Sequence, residues 1–230
     1  MLRNTLSIQI LALLFTTALA LPQGTGTPLA PSNTSTLGAA TSSEPTIVSD
    51  PTLPGHTIYR PFDMTNYNTL PVIVWGNGAC SADSDTHRTF HRRLGKHRST
   101  APEMMTELID WAQGNAGRGE YVKMNASKIA AAGMSCGGLE AYEQAQDERV
   151  SAIGTFNSGQ FTEQGTQEVV SKVMKPIFFF LGGPSDIAYE NGMRDFDAVP
   201  EGVPTWVGNV DTGHLGTYSE PKGGVYGAAA

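Results

Sequence analysis

Apolar residues along this chain fall into short runs that alternate with stretches of helical spacing. "LPVIVWGNG" (70–78) is a β-branched apolar run ending in glycines, the pattern of a buried strand. "KIAAAG" (128–133), "VSAIGTFNSG" (150–159), "KPIFFFLGG" (175–183) and "PTWVGNVDTGH" (204–214) read the same way. "HTIYRPFDM" (56–64) alternates polar and apolar positions like a half-buried strand. Between these runs, "TAPEMMTELIDWAQ" (100–113) sets Met104, Leu108, Trp111 and Ala112 at helical spacing. Pro102 suits its first turn, and Ser99 or Thr100 is the expected cap. "CGGLEAYEQAQ" (136–146), "QEVVSKVM" (167–174) and "YENGMRDFDAV" (189–199) also predict helices. Strands that alternate with helices predict an α/β fold: a mostly parallel sheet with helices on both faces.

The ends of the chain change this picture. Residues 1–20 carry Arg3, an apolar stretch from Ile8 to Phe15, and the small-x-small site Ala18-Leu19-Ala20, which reads as a signal peptide. The stretch falls short of the ~20 apolar residues a membrane span needs, and no later run is longer, so no membrane span is expected. Residues 21–54 are rich in Ser, Thr, Pro, Gly and Ala and predict a flexible segment, with the folded domain at 55–230. A secreted, extracellular protein follows. In an oxidising compartment Cys80 and Cys136 are expected to form a disulfide, and Asn33 and Asn125 head glycosylation sequons. The formal net charge of −7 argues against a nucleic-acid partner.

In parallel sheets functional groups gather at the carboxyl ends of strands. Here Gly133-Met134-Ser135-Cys136-Gly137 fits G-x-S-x-G, with a strand before it and a helix after it. Such a turn exposes a serine hydroxyl in a strained backbone conformation. A serine nucleophile needs a base, and the base an orienting acid. His214 is the one histidine after Ser135. Asp186, after the strand "PIFFFL", is the stronger reading for the acid. Asp211 is the alternative and would instead fix its loop by accepting from backbone amides. Asp195 and Asp197 read as solvated surface of a helix. The oxyanion hole is expected from the amide of Cys136 and that of Asn77 or Gly78. This chemistry calls for no cofactor.

"VIVWGNGAC", "SKIAAAGMSCGGLEAY", "FNSG", "FLGGPSDIAYENG" and "DTGHLGTY" together resemble secreted fungal proteins of the α/β-hydrolase superfamily, over residues 56–80 and 100–225. The resemblance implies hydrolysis of a small-molecule carboxylic ester through an acyl-enzyme, with Ser135 as nucleophile, His214 as base and Asp186 as acid. The chain departs from this pattern at "SADSDTHRTFHRRLGKHR" (81–98). That stretch holds five of the fifteen Lys and Arg residues, and parallel-sheet strands are nearly all apolar. One neighbour of the nucleophile strand is therefore expected to be missing or replaced, and the closing C-terminal helix to be absent. His87 and His91, four apart, have metal-ligand spacing, but no third ligand and a basic setting make a loop the better reading. The competing reading is a catalytically impaired glycoprotein whose shortened sheet holds the motifs out of register. An acyltransferase with the same triad would differ only in how well it excludes water.

Overall fold

The computed structural model describes residues 6–9, 45–65, 67–82 and 99–217. A small sheet has the order β1-β3-β2, built from β1 (Leu6–Gln9), β2 (Pro45–Val48) and β3 (His56–Pro61). β1 runs parallel to β3 and β2 antiparallel to it. β1 lies inside the segment read as a leader. β2 moves the start of the folded part from residue 55 to residue 45. The Ser/Thr/Pro-rich composition hides this because the anchors are polar. The Trp111 indole N–H donates to Thr52 Oγ1 at 3.0 Å, the Tyr121 hydroxyl donates to Asp50 at 2.7 Å, and Leu53 is buried beside them.

The main sheet is all parallel, in the order β4-β5-β6-β7-β8. Its strands are β4 (Leu70–Gly76), β5 (Met124–Met134), β6 (Val150–Phe156), β7 (Ile177–Leu181) and β8 (Thr205–Asn209). Between them run α1 (Pro102–Asn115), α2 (Cys136–Glu143), α3 (Glu163–Val169) and α4 (Tyr189–Asp197). Alternate residues sort to the two faces, as the pleat requires. Val72, Val74, Ile129, Ala131, Ile153, Ile177, Phe179 and Leu181 enter the larger core, together with Met105, Leu108 and Ile109 of α1 and Tyr142 of α2. Ile73, Trp75, Ala132 and Met134 form a smaller cluster on the other face. There an aromatic row crosses the strands: Trp75 meets Phe156 edge-on at 5.1 Å, and Phe156 stacks on Phe180 at 4.0 Å.

Four expectations need correction. β5, the strand before Ser135, has parallel neighbours on both sides, β4 and β6. The strands with a partner on one side only within this sheet are β4, one place further out, and β8 at the other margin. Second, α1 has no side-chain cap: Ala101 occupies the cap position, and the Thr100 hydroxyl donates to Glu140 at 2.5 Å instead. Third, α3 starts at Glu163, four residues before "QEVVSKVM", because Thr162 Oγ1 caps it by accepting from the Gly165 amide at 3.0 Å. Fourth, Asp195 is fully buried rather than solvated, whereas Asp197 is exposed as expected. The Asp195 carboxylate accepts from the Tyr142 hydroxyl at 2.9 Å, the Thr166 hydroxyl at 2.6 Å and the Gln160 amide at 2.8 Å, pinning α4 to α2 and to the loop after β6. Burial pushes its carboxyl above the usual carboxylate range, against the pull of those hydrogen bonds.

The sequon residue Asn125 is half-buried at the start of β5, its side-chain oxygen accepting from the amide and hydroxyl of Ser127 at 3.0 and 2.6 Å. Asn33, His87 and His91 lie outside the described residues. Among the described residues no helix is long and apolar enough to cross a membrane, and no three potential ligands gather into a metal site.

His56 generates a stability prediction. Its ring is buried at the start of β3, with Nδ1 donating to the Pro54 carbonyl at 3.3 Å. Burial pushes its pKa down, outweighing the nearby carbonyls and the Glu107 charge. A depressed folded-state value means that the unfolded chain takes up the proton first as pH falls. The stabilising contribution is therefore complete above the ordinary histidine value of about 6.5 and is lost as pH drops below it. The urea midpoint should fall between pH 7 and pH 5, and His56→Phe should flatten that part of the profile.

Candidate active site

Strand register places the site. Gly76 pairs with Gly133, Met134 with Phe156, Phe156 with Phe180, and Phe180 with Gly208. The segments beginning at Asn77, Ser135, Asn157, Gly182 and Val210 therefore all emerge at one edge of the sheet.

Ser135 sits at the sharpest of these turns, with φ 52° and ψ −117°. Left-handed backbone is costly for a residue with a Cβ and persists only where its surroundings enforce it. Here the enforcement is packing. α2 departs so close to the sheet that a Cβ on Gly137 would lie 2.1 Å from the Gly76 carbonyl oxygen. The turn is tied down by the Ser135 amide donating to the Phe156 carbonyl at 2.9 Å, and by the Ser158 hydroxyl donating to the Ser135 carbonyl at 2.7 Å.

The Ser135 hydroxyl points at an imidazole. His214 Nε2 is 3.1 Å from Ser135 Oγ, and His214 Nδ1 is 2.6 Å from Asp186 Oδ1. With the carboxylate at Nδ1, that nitrogen carries the proton and donates it, leaving Nε2 to accept from the hydroxyl. The Asp186 side chain is fully buried and that of His214 is 22% exposed, so the acid lies behind the ring and the ring's far side stays open. Such a row can take the serine proton as the oxygen attacks and return it to a leaving group.

The structure thus brings Ser135, His214 and Asp186 together and leaves Asp211 out. Asp211 Oδ1 accepts from the Ser185 amide at 3.1 Å and from its hydroxyl at 2.5 Å, the loop-fixing alternative. Those two bonds hold its carboxyl below the usual range. Two further bonds, from the Thr212 and Gly213 amides to the Gly182 carbonyl at 2.9 and 2.8 Å, join the loop carrying His214 to the loop carrying Asp186.

The expected oxyanion-hole residues also converge. Cys136 is the first residue of α2, and Gly78 packs so closely on Met134 that a Cβ there would lie 2.6 Å from its sulfur. The Asn77 side-chain amide Nδ2 donates to the Ser81 carbonyl at 3.1 Å and closes the turn. Cys80 and Cys136 form a disulfide with a Cα–Cα separation of 5.1 Å. It spans the turn after β4 and the residue after Ser135. Ala79 and Cys80, at φ 57° and 45°, are both held in left-handed backbone beside it.

A small cavity of about 80 Å³ opens onto the hydroxyl, lined by Leu139, Phe161, Ile187 and Asn191 as well as Ser135 and His214. Phe161 and Ile187 are 78% and 85% exposed and form an apolar rim. A larger concavity, about 640 Å³, lies at the opposite end of the strands around Gln113, Asn125 and Arg149. It contains none of Ser135, His214, Asp186 or the expected oxyanion-hole residues.

Asn157, Ser158 and Thr217 were not singled out from sequence. The "FNSG" block contained the signal for two of them, a strand end of the same kind as those carrying Ser135 and Asp186.

The chain has an α/β-hydrolase fold, with five parallel strands in its main sheet among the described residues. No protein-family model matches the chain, and no curated protein matches it by sequence. Among solved structures it is similar to a fungal esterase from Rhizomucor miehei, at 15% identity and TM-score 0.51 over 74% of each chain. An esterase from Pyrococcus furiosus shows a TM-score of 0.47 at 13% identity, over 67% of this chain and 77% of the other. Likeness at this level of identity establishes the fold.

The disulfide closes a loop with a sequence separation of 56 residues, for which chain entropy gives a ceiling of roughly 4 kcal/mol. Dithiothreitol, or the double change Cys80→Ser with Cys136→Ser, should lower the urea unfolding midpoint accordingly. A midpoint unmoved by reduction would mean that the bridge does not restrain the unfolded chain.

Proposed function

We propose that this protein is a secreted serine hydrolase of carboxylic esters. The observation that carries the reading is the continuous hydrogen-bonded row Ser135–His214–Asp186, drawn from three separate loops at one sheet edge. In this reading Ser135 Oγ attacks the ester carbonyl and His214 Nε2 takes its proton. Asp186 holds the imidazole in the tautomer that leaves Nε2 free. The Cys136 amide and that of Asn77 or Gly78 stabilise the tetrahedral oxyanion, where one lost donor typically costs about 100- to 1,000-fold in rate. The leaving alcohol departs with the proton from His214, and water then hydrolyses the acyl-Ser135 ester with His214 again as base. The leader-like first twenty residues and the disulfide support secretion, with Asn33 and Asn125 as the glycan acceptors.

The arrangement around Ser135 favours this over a degenerate scaffold. A sheet out of register would separate the three loops, whereas the Ser135–His214 contact is at hydrogen-bond distance. A fluorophosphonate should label Ser135 covalently in the folded protein, and Ser135→Ala should abolish labelling without changing the cooperative melt. Absence of labelling in a preparation that melts cooperatively would overturn the proposal.

The cavity also bears on the substrate. At about 80 Å³ it offers room for a short group on one side of the ester. p-Nitrophenyl acetate should therefore be turned over at least tenfold more efficiently, by kcat/KM, than p-nitrophenyl octanoate. Leu139→Ala, which enlarges the cavity, should narrow that ratio.

A further inference from the structure

The Asn157 side chain makes three hydrogen bonds at the sheet edge, and no step of the proposed reaction uses it. It is fully buried, and it is held in left-handed backbone at φ 47°. Its backbone amide donates to the Phe180 carbonyl at 2.8 Å, anchoring it where β6 meets β7. Its side-chain amide donates to Asp186 Oδ2 at 2.7 Å and to the Gly213 carbonyl at 3.2 Å. Its side-chain oxygen accepts from the Thr217 hydroxyl, which fixes which end of the amide faces the acid. One side chain thus grips the acid, the residue before His214 and the chain three residues after His214.

We infer that Asn157 is a positioning residue: it holds the Asp186 carboxylate in the plane of His214 and clamps the histidine loop to the acid loop. The inference rests on the esterase reading given above. Asp186 has two oxygens. Oδ1 accepts from His214 Nδ1 at 2.6 Å and from the Ala188 amide at 2.9 Å. Oδ2 accepts from Asn157. A donor on Oδ2 fixes the rotation of the carboxylate and satisfies its second oxygen in a buried setting, where an unmade bond to a charged group is expensive. Only an uncharged donor serves without adding a charge beside the imidazole. Of the hydrogen-bond partners of the Asn157 side chain only Asp186 titrates, and its other ionisable partner is His214.

Two variants separate this role from simple packing. Asn157→Gly tolerates the left-handed backbone and deletes the side chain. It should lower kcat/KM by about 10- to 100-fold, the scale of a misplaced catalytic group, chiefly through kcat and by the same factor at every pH. Asn157→Asp keeps the shape but sets a second carboxylate against Asp186. Two carboxylates in contact cannot both ionise freely, so one proton is shared. While that proton remains, the new carboxyl donates to Asp186 as the amide does. Once it leaves, the two repel. The ratio of the Asp variant to wild type should therefore fall as pH rises. Fluorophosphonate labelling rates give a second readout that needs no substrate. Wild type that fails to label sinks the esterase reading itself. Wild type that labels, with both folded variants labelling at its rate and with its pH dependence, overturns the role given to Asn157. Thr217→Val, which removes only the hydroxyl that orients the amide, provides the same comparison should either Asn157 variant fail to fold; the expected loss is smaller, about 3- to 10-fold, and no loss counts against the clamp.

Discussion

Everything at this site depends on how closely α2 can approach the sheet. The helix begins in the residue after Ser135, and its first turn lies directly on the end of β4, where Gly137 meets Gly76 with no room for a methyl group. That contact bends the chain from strand to helix within one residue and forces Ser135 into left-handed backbone. A serine in an ordinary strand would bury its hydroxyl between faces or aim it at solvent. At this bend the hydroxyl stands off the sheet edge, where the loops after β7 and β8 can reach it. The strain is local, and the surrounding core over-determines it, since β5 has a parallel partner on each side.

The other two members of the hydrogen-bonded row are held by a different device. Neither Asp186 nor His214 lies in a helix or strand, and loops alone position side chains poorly. Here the loops are sewn together. The Gly182 carbonyl takes two amides from the histidine loop, and Asp211 takes the Ser185 amide and hydroxyl from the acid loop. Asn157 adds a third tie from the neighbouring strand. Asp211 and Asp186, the two candidates for one role, thus divide the work. One is exposed and fastens loop to loop; the other is buried and faces the imidazole. Deeper in, Asp195 plays a comparable part for the wall of the cavity, drawing Gln160 and Thr166 toward α4 and Tyr142.

Three of the side chains discussed above leave the middle of the main sheet. Ser135, Asn157 and Asp186 follow β5, β6 and β7, each of which is flanked on both sides. The two edge strands carry the rest: the turn after β8 leads to His214, and the turn after β4 carries Asn77 and Gly78. The Cys80–Cys136 bridge reaches the turn after β4 from the base of α2 and supplies a covalent tie there.

Much of this was legible in the residues themselves. The five apolar runs, the glycines at their ends, G-x-S-x-G between a strand and a helix, and a single histidine downstream of it are local features. Local sterics and the period of side-chain alternation are written directly in sequence, so the strands, their parallel pairing, Ser135 and His214 could be read from it. Partners at long range could not. Asp195 looked solvated within "MRDFDAV" because its three donors lie at Tyr142, Gln160 and Thr166. Pro45–Val48 looked like linker because its neighbours across the fold hold it with hydrogen bonds, which composition does not reveal. For the acid, chain order already favours Asp186 over Asp211, and the packed sheet shows which carboxylate turns inward. Sequence determined which chain segments could meet at one edge, through short-range periodicity and backbone sterics. The tertiary structure decided which side chains meet there, because burial and hydrogen-bond geometry are properties of the assembled loops and of no single one of them.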